Sequence, residues 1–533
     1  MISRAKIQAE RLPLAAALLG LLALVYFDLG PALAFNDDWF TAWSVRQLAA
    51  GHGLRFVPEH GPLGIVGIAW GAIFSLGSAD PRLLRLSVIP FILAAALCVH
   101  RLARHLGADR FWAATAAATP LCAPVFLGVS TSFMTDVFYV GLLALVAVAG
   151  VRWVETGRGA VSCCVLVAIS FMERQHGVVA VLALGVGLLV ARRSRQVRAR
   201  EWLYLALTGA VLLGGFYAAG RAGLLTYEQT RRAGGASLNP RLLLQAYAFL
   251  PSVAGLVLLP MLGALLVRGS ALPTARRWLP GLLSLGLLAL LAVHAATHLD
   301  SSVVVFPGDV WTLGGLNPVV DLAGAKPQLF PPVFWLTEGL AVVAAVALFG
   351  WRAGDISRLT ADPAVGAAVV FLLTLALAQL LPSIGKGIND RYFLPVLIVM
   401  LPVVARVASR AGSSRAARGW ALAGLLGGVA LYAVGEQDYQ AWQVARDGAA
   451  RLAYQQAPPS EVLAGWEADG VYYELPIFDA YSGPTGNLVG SSQIGGGRAA
   501  TRLQLIFGPA SDPRPGVNYN SVAPGRIVIV ARP

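Results

Sequence analysis

The sequence predicts an α-helical polytopic membrane protein with a small α/β domain at its carboxyl end. Apolar residues make up 57% of the 533 residues, charged residues only 13%, and the mean hydropathy is +0.66. Soluble globular domains carry about 25% charged residues. The apolar residues form runs of membrane-spanning length, and the composition becomes polar after residue 435. An ordinary soluble globule is therefore excluded.

The apolar runs define the expected spans, since a helix needs about 20 residues to cross roughly 30 Å of hydrocarbon. About thirteen runs approach this length. They are 12–34, 83–100, 112–129, 137–154, 161–172, 177–191, 202–220, 242–267, 279–296, 333–351, 365–382, 393–407 and 420–435. A further run, 63–76, is shorter and rich in glycine, and we expect it to be re-entrant or interfacial.

The positive charges predict the orientation of these spans. The formal net charge is +13, but the arginines recur between apolar runs and not along one face, which argues against nucleic-acid binding. Alternate loops hold the arginine excess, as in 101–110, 192–200 and 406–418. Cytoplasmic loops carry such an excess. The amino terminus is therefore predicted to be cytoplasmic, and the acidic loops are predicted to face outward.

The chain is expected to divide near residue 435. Residues 1–435 form the predicted membrane domain, with a first outer loop at 35–82, and residues 436–533 form a soluble domain on the outer face. Residues 437–456 have helical character, while 502–507 and 526–531 alternate in polarity as short strands do.

Acidic and basic side chains recur in the loops predicted to face outward. Because such residues are costly at the membrane boundary, they mark candidate sites. The candidates are Asp37, Asp38, Glu59, His60, Asp136, Arg174, His176, Lys386 and Arg391.

Four short motifs in this order resemble the GT-C membrane glycosyltransferases. These are the acidic pair Asp37-Asp38, the His-Gly-Pro-Leu turn that begins at His60, Thr135-Asp136 at the start of a span, and Asn-Asp-Arg-Tyr-Phe-Leu-Pro around Arg391. The likeness is greatest to the protein O-mannosyltransferase and lipid A aminoarabinose transferase group. It covers the membrane part and is weak in the tail.

The resemblance implies a fold, a reaction and roles for several residues. It implies a GT-C fold and transfer of a sugar from a polyprenyl-phosphate donor to a lipid, glycan or protein acceptor. Asp37 matches the carboxylate that acts as base or orients the acceptor, and Asp38 is the adjacent candidate. Where the aminoarabinose transferases have Glu-Lys-Pro, this chain has Glu59-His60-Gly61-Pro62, so His60 departs from the lysine that approaches the donor phosphate. A divalent metal is possible in this superfamily, although no ligand cluster of clear spacing is present.

The residue chemistry is consistent with this function. Sugar transfer to a hydroxyl needs a base for the acceptor proton and positive groups for the departing phosphate. Arg391 and Lys386 suit the phosphate, and Arg174 and His176 are further candidates. No nucleotide is required, because the lipid carrier brings an activated sugar to the outer face. The abundance of arginine and alanine suggests a bacterial inner membrane with the site in the periplasm.

Several residues also have a structural interpretation. Asp37 and Asp38 could flank or cap a helix, and Asp136 could be a helix N-cap beside Thr135. Glu173 and Arg174 could neutralise each other. Arg391 and Tyr392 could anchor a span at the interface, with the arginine extended toward the headgroups.

Two other function classes fit a chain of this kind. A secondary transporter or lipid-linked-sugar flippase would place ionisable residues near the middle of paired spans in two related halves. Here the polar residues gather at one face, and no internal repeat is evident. A membrane scaffold whose tail binds an extracellular partner would leave the clustered acids and cations unexplained.

Overall fold

A computed structural model of the chain describes most of the membrane part and the carboxyl end. The described residues are 4–31, 33, 38–57, 61–76, 78, 80–226, 229, 254–261, 311–312, 315–316, 322, 353–363, 365–385, 390–412, 414–469, 471–472, 476, 502–521 and 524–531.

The described part of the membrane domain is helical apart from two short strands between residues 311 and 316. In chain order the α-helices of the protein are α1 (Arg4–Asp28), α2 (Asp38–Ala49), α3 (Ile65–Phe74), α4 (Pro81–Leu86), α5 (Ile89–His105), α6 (Arg110–Ala118), α7 (Pro124–Ser130), α8 (Thr135–Thr156), α9 (Ala160–Glu173), α10 (Val179–Ala191), α11 (Ala199–Arg221), α12 (Ala353–Ala361), α13 (Gly366–Gly385), α14 (Leu394–Ala411), α15 (Arg415–Tyr454) and α16 (Trp466–Asp469).

Ten of the thirteen predicted spans coincide with described helices. Six described helical segments are long and apolar enough to cross a membrane, and the bent pair α6–α7 adds a seventh. Spans 161–172, 177–191 and 365–382 match shorter apolar helices. The remaining three, 242–267, 279–296 and 333–351, lie outside the described residues except for the helical residues 254–261. The protein is a multi-pass membrane protein.

Three segments differ in detail from the prediction. The first span ends at Asp28, short of residue 34, because Gly30-Pro31 follows and the residue before a proline avoids the helical region. Span 112–129 is two helices bent by 46°, with the bend at a 3₁₀ turn, Thr119–Leu121, that contains a proline. Run 63–76 contains the ten-residue helix α3, which at 1.5 Å per residue is too short to span roughly 30 Å.

The spans pack through small residues and leave apolar faces outside. A Cβ placed on Gly141 of α8 would lie 2.7 Å from the Phe91 carbonyl of α5, and one on Gly150 would lie 2.4 Å from the Phe371 ring of α13. Glycine lets membrane helices approach this closely. On α11, Leu207 and Val211 are more than half exposed, as expected for a lipid-facing surface.

The carboxyl end forms a four-stranded sheet. Its strands are β3 (Val462–Leu463), β4 (Leu503–Gly508), β5 (Gly516–Tyr519) and β6 (Gly525–Ala531), preceded in the chain by the short hairpin strands β1 (Trp311–Thr312) and β2 (Gly315–Leu316). The spatial order is β3-β4-β6-β5; β3 is parallel to β4, and the other pairs are antiparallel. The strands expected at 502–507 and 526–531 are confirmed as β4 and β6.

Helix α15 passes through residue 435 without a break. It has 40 residues and is therefore about 60 Å long at 1.5 Å per residue, twice the roughly 30 Å of hydrocarbon. Its first half packs on α1 and the bent helix as part of the membrane core, which it leaves after Tyr432. From Tyr439 onward its buried residues join a second apolar cluster with the sheet. The predicted helix 437–456 is the outer half of α15.

Candidate functional site

Five of the nine candidate site residues are described. Asp38, Asp136, Arg174, His176 and Arg391 lie within the described ranges. The other four lie outside them; they are Asp37, Glu59, His60 and Lys386.

A buried ion pair joins the start of α8 to the end of α9. Helix α9 ends at Glu173, and Arg174 is extended, with φ −141° and ψ 129°. The Arg174 guanidinium there donates to the Asp136 carboxylate in the first turn of α8, and both side chains are at least 94% buried. One structural interpretation is thereby wrong, because the N-cap of α8 is Met134, with no side-chain cap bond, and not Asp136. The direct ion pair of Arg174 is with Asp136, while Glu173 also attracts Arg174 electrostatically.

Tyr392 lies between two arginines at this pair. The guanidinium carbon of Arg174 lies 5.6 Å from the centre of the Tyr392 ring, and that of Arg391 lies 5.4 Å from it. Both distances suit cation–π contacts. Arg391 also donates from Nη1 to the Met134 sulfur at 3.4 Å. Arg391 is 7% exposed and packed inside the protein, so its interpretation as an anchor extended toward the headgroups is wrong.

These contacts bring three distant segments together, namely 134–136, 174 and 391–392. One turn further along α8, the Tyr139 hydroxyl donates to Gln379 Oε1 of α13 at 2.9 Å. The site therefore lies between the start of α8, the end of α9, α13 and the 3₁₀ turn Asp390–Phe393 before α14, and the packing of these elements determines the positions of its charges.

Glu173 fixes the short helix α3 from a distance. The Gly67 N–H donates to Glu173 Oε2 at 2.8 Å, and the Gly64 N–H donates to the Glu173 carbonyl at 2.9 Å. The N-cap residue Gly64 has φ 63°, where glycine is favoured, and no side chain of its own to bond the first-turn N–H groups. The Glu173 carboxylate, 106 positions away, serves as the missing cap.

The turn that follows His60 is tied to the same place. Gln175 Nε2 donates to the Gly61 carbonyl, and Gln229 Nε2 donates to the Pro62 carbonyl, both at 2.9 Å. Residues 173–175 thus hold the ion pair on one side and the 61–67 segment on the other.

Asp38 and His176 are the two remaining described candidates. Asp38 is the first residue of α2 and is 3% exposed. Helix α2 packs against α3, where a Cβ on Gly71 would lie 3.0 Å from the Val45 side chain. His176 lies in the 3₁₀ turn Gln175–Val178 beside Arg174 and is half-buried.

The nine candidates leave out three contributors to this site, although Glu173 and Tyr392 were named as neighbours of Arg174 and Arg391. Met134 and Glu173 act through partners far away in the chain, which no local pattern reveals. Tyr392 belongs to the motif around Arg391, and its place in that motif was the only indication in the sequence that it contributes to the site.

An apolar groove of about 400 Å³ lies beside the bend between α6 and α7. It is lined by the bend, by residues 256–260 and by one face of α15 that includes Gly424, Gly427 and Gly428. Its lining contains none of the five described candidate residues.

Within the described ranges, no group of three or more His, Cys, Asp and Glu side chains is arranged to hold a metal ion.

Comparisons with known proteins give two similar crystal structures. One is ArnT from Cupriavidus metallidurans in the apo state, with 16% identity over 99% of this chain and 98% of that chain and a TM-score of 0.42. The other is ArnT from the same organism bound to undecaprenyl phosphate, with 16% identity over 96% of this chain and 97% of that chain and a TM-score of 0.39. No family model matches the sequence, and no curated protein matches it.

Proposed function

We propose that this protein is a membrane glycosyltransferase that moves a sugar, with inversion, from a polyprenyl-phosphate donor to a hydroxyl of a lipid, polysaccharide or protein. The observation that carries the proposal is the meeting of Arg174 and Arg391 around Tyr392 at the start of α8. Two guanidinium groups held by buried contacts suit a phosphate, with which arginine pairs bidentately.

The carboxylates of the first outer loop supply the base. Asp37 takes the proton of the acceptor hydroxyl as the acceptor oxygen bonds to the anomeric carbon, or orients that hydroxyl, and the bond from this carbon to the phosphate oxygen breaks. Asp38, buried at the start of α2, is the second carboxylate. A base poised for this transfer contributes about 10²–10⁴-fold in rate.

The cations stabilise the polyprenyl phosphate as it leaves. Arg391 faces the phosphate, and Arg174 is held toward it by Asp136, which compensates part of its charge. Lys386, His176, Glu59 and His60 complete the donor-binding set. Preorganised positive groups act most strongly where water is excluded, and the burial of both arginines supports that setting.

The apolar groove beside the α6–α7 bend receives the prenyl chain of the donor. It runs along α15 from Ala423 to Val434, which is most of the predicted span 420–435. An isoprenoid chain matches a groove lined by Leu, Val, Ala, Pro and Gly.

The reaction belongs on the outer face of a bacterial inner membrane. The arginine pattern puts the amino terminus in the cytoplasm and the loops with Asp37, Asp136 and Arg391 outside. Residues 1–435 then form the membrane domain, and 436–533 form a periplasmic domain reached through α15.

The test is sugar transfer by the purified protein in lipid nanodiscs, given a panel of radiolabelled polyprenyl-phosphate sugars and cell-envelope acceptors. We expect one sugar to be transferred, Asp37→Asn to lower kcat at least about 100-fold, and Arg391→Gln to lower kcat more than Arg391→Lys. Arg192→Gln is the matched control, because Arg192 also stacks on an aromatic ring, Trp202 at 5.1 Å, on the predicted cytoplasmic side.

Two outcomes would contradict the proposal. Full activity of Asp37→Asn removes that residue from its role. Movement of intact lipid-linked sugar across the bilayer without formation of a new glycosidic bond points to a flippase.

A further inference from the structure

Two carboxyl groups, a guanidinium and a phenol are buried together where the first span ends. Asp28 is the last residue of α1, Arg85 lies in α4, and Tyr432 and Glu436 lie one turn apart on α15; each is 0% exposed. Arg85 attracts both acids electrostatically, and the two acids repel each other. If both acids were ionised, the cluster would bury two negative charges beside one positive charge, and an uncompensated buried charge is costly.

The other titratable groups on the elements that pack against α1 are directed elsewhere. Arg82 of α4 is exposed and donates to a backbone carbonyl. Asp438 of α15 accepts from Ser521 of the carboxyl-terminal domain. Arg110 begins α6 in the basic loop at the opposite end of its predicted span, Cys122 lines the apolar groove, and α7 carries no titratable residue.

The two acids differ in their hydrogen bonds. Glu436 Oε1 accepts from Gln440 Nε2 at 3.1 Å, and its Oε2 accepts from the Thr131 hydroxyl at 3.5 Å. Neither oxygen of Asp28 has a hydrogen-bond partner within the described part of the chain. Hydrogen bonds from donors favour the ionised form of a carboxyl group, whereas burial without them favours the neutral form. The negative charge therefore belongs on Glu436.

Glu201 shows what this chain provides for a buried ionised carboxylate. It is 3% exposed and accepts from two nitrogens of Arg195, from the Trp153 indole and from the Arg198 N–H, at distances of 2.7 to 3.0 Å. Asp28 is more deeply buried and has no such donor among the described residues.

The Tyr432 hydroxyl is a second buried polar group beside the acids. It has no hydrogen-bond partner in the described ranges, and it interacts electrostatically with Glu436 and Asp28. A hydroxyl both donates and accepts, whereas an ionised carboxylate only accepts. A proton on Asp28 supplies the donor that two ionised acids beside this hydroxyl would lack.

The cluster lies inside the joint that ties the first span to α4 and α15. Arg85 Nη2 donates to the Pro31 carbonyl at 2.7 Å, and Gln440 Nε2 donates to the Phe27 carbonyl at 3.0 Å as well as to Glu436. The last carbonyls of a helix lack partners within it. The side chains that hold the end of α1 are therefore those that set the charge of the cluster.

We propose that Asp28 and Glu436 form a buried proton-binding site, in which Asp28 holds the proton and Glu436 the charge, and that this proton locks the end of α1 to α4 and α15. The neutral acid leaves Arg85 and Glu436 as a balanced pair. Loss of the proton puts a second negative charge into the joint and loosens it. This site is independent of the sugar transfer proposed above.

The first experiment detects the proton by infrared spectroscopy of the full chain in lipid nanodiscs, with and without isotope-labelled aspartate. We expect a protonated-carboxyl band at neutral pH that shifts with the label and is absent from Asp28→Asn. In Glu436→Gln only Asp28 remains to compensate Arg85, so Asp28 ionises and the band disappears there too. An unchanged band in either variant would overturn the proposal.

The second experiment measures the thermal unfolding midpoint against pH. An unfolded aspartate has released its proton above about pH 5. Because the folded protein still holds one, each further pH unit favours unfolding about tenfold until the folded protein releases it as well. Asp28→Asn imitates the neutral acid and does not titrate, so its midpoint should be close to the parent's near pH 5 and higher than the parent's near pH 8.

Asp136→Asn is the matched control, since Asp136 is a buried aspartate that pairs directly with Arg174. This variant leaves the arginine uncompensated and should lower the midpoint at neutral pH. A midpoint for Asp28→Asn that falls as far as that of Asp136→Asn would show that Asp28 is ionised, and would overturn the proposal.

Amide exchange of a peptide covering residues 24–31 tests the lock itself. Near pH 8 we expect this peptide to exchange at least about fivefold faster in the parent than in Asp28→Asn at the same pH, because a loosened joint opens more often. Near pH 5 the two proteins should exchange alike. Equal rates at both pH values would overturn the lock.

Discussion

The ion pair of Asp136 with Arg174 is buried, so the loss of either partner should lower the stability of the fold strongly. Removing one member of a buried pair leaves the other charge uncompensated, which costs about 3–5 kcal/mol. Asp136→Ala should therefore lower the thermal unfolding midpoint in detergent clearly, and Asp136→Ala with Arg174→Met should recover a large part of that loss.

The control for this prediction is an exposed pair on the same chain. Arg502 and Glu461 lie 3.4 Å apart with side chains 66% and 31% exposed. Exposed pairs contribute about 0–1 kcal/mol, so Glu461→Ala should barely move the midpoint. A midpoint for Asp136→Ala equal to that for Glu461→Ala would contradict the buried ion pair.

Glu173 should be needed for the order of α3, because its carboxylate accepts the Gly67 N–H. Glu173→Ala removes the acceptor of the Gly67 N–H, and a buried donor left unpaired costs about 1–3 kcal/mol. Amide exchange of a peptide covering residues 61–74 should accelerate in Glu173→Ala and less in Glu173→Gln, which keeps an acceptor oxygen. Mass spectrometry of deuterium uptake measures this.

Ser170, one turn earlier on α9, provides the comparison. Its hydroxyl is buried and has no hydrogen-bond partner within the described part of the chain. Ser170→Ala should leave the exchange of 61–74 unchanged. If Glu173→Ala exchanges at the same rate as Ser170→Ala, the cap across 106 positions is wrong.

At the residue scale, the sequence predicted which charged residues belong to the candidate site better than it predicted which residues they contact. Asp136, Arg174 and Arg391 stood out because charge is costly near a membrane, and they do meet. Arg174 was equally able to pair with its neighbour Glu173. Which acid it contacts depends on the extended turn after α9 and on how α8 packs beside it, and neither is encoded within a few residues.

At the scale of elements, length and hydropathy predicted where helices lie but not where they bend or end. The run 112–129 is uniformly apolar, yet its prolines at 120 and 124 divide it, because proline lacks the N–H that a continuous helix uses. Conversely, the sequence becomes more polar near Glu436, yet α15 does not end there. The first half of the helix is buried in the membrane core and the second half is buried against the sheet, so both halves are stabilised.

The groove beside this bend yields a prediction about two adjacent glycines of α15. Among the described residues, a Cβ on Gly427 meets nothing within 4 Å, while one on Gly428 would clash with the Cys122 carbonyl. Gly427→Leu should therefore fold normally and fill the groove, and Gly428→Leu should destabilise the packing of α15 against the bend.

The kinetic consequence follows from the proposed prenyl site. Displacing about two methylene groups of the donor removes about 1.6 kcal/mol, which is roughly tenfold in KM. In Gly427→Leu we expect KM to rise for a long-chain polyprenyl donor, kcat to stay near its parent value, and a short-chain analogue to be unaffected. Equal effects on both donors would place the prenyl chain elsewhere.

At the scale of the whole molecule, α15 decides the placement of the carboxyl-terminal sheet. Its 40 residues span about 60 Å, so about half of it must leave a hydrocarbon layer of roughly 30 Å. The apolar half contains Gly424 and Leu425, whereas the later half carries Glu436, Asp438 and Arg446 and packs on the sheet. The sheet therefore lies on whichever side the later half of α15 emerges.

The arginine pattern predicts that this side is the outer one. Arg192, Arg193 and Arg195 follow α10, and Arg410 and Arg415 flank the turn into α15. If both turns are cytoplasmic, the start of α15 is inside and residue 454 is outside. Alkaline phosphatase, which is active only outside the cytoplasm, should be active when fused after residue 533 and inactive when inserted at residue 194. A fluorescent protein that matures only inside should show the reverse.

The two fusions also test on which side of the membrane the candidate site lies. Asp136 and Arg174 stand at the ends of α8 and α9 away from the turn at 157–159, which carries Arg158. A cytoplasmic turn at 157–159 puts the ion pair, and Tyr392 and Arg391 with it, on the outer side. Phosphatase activity at residue 194 with fluorescence at residue 533 would put the arginines outside and the charged centre in the cytosol. Nucleotide sugars are available there, and a lipid-linked donor delivered to the outer face would then have no route to Asp37.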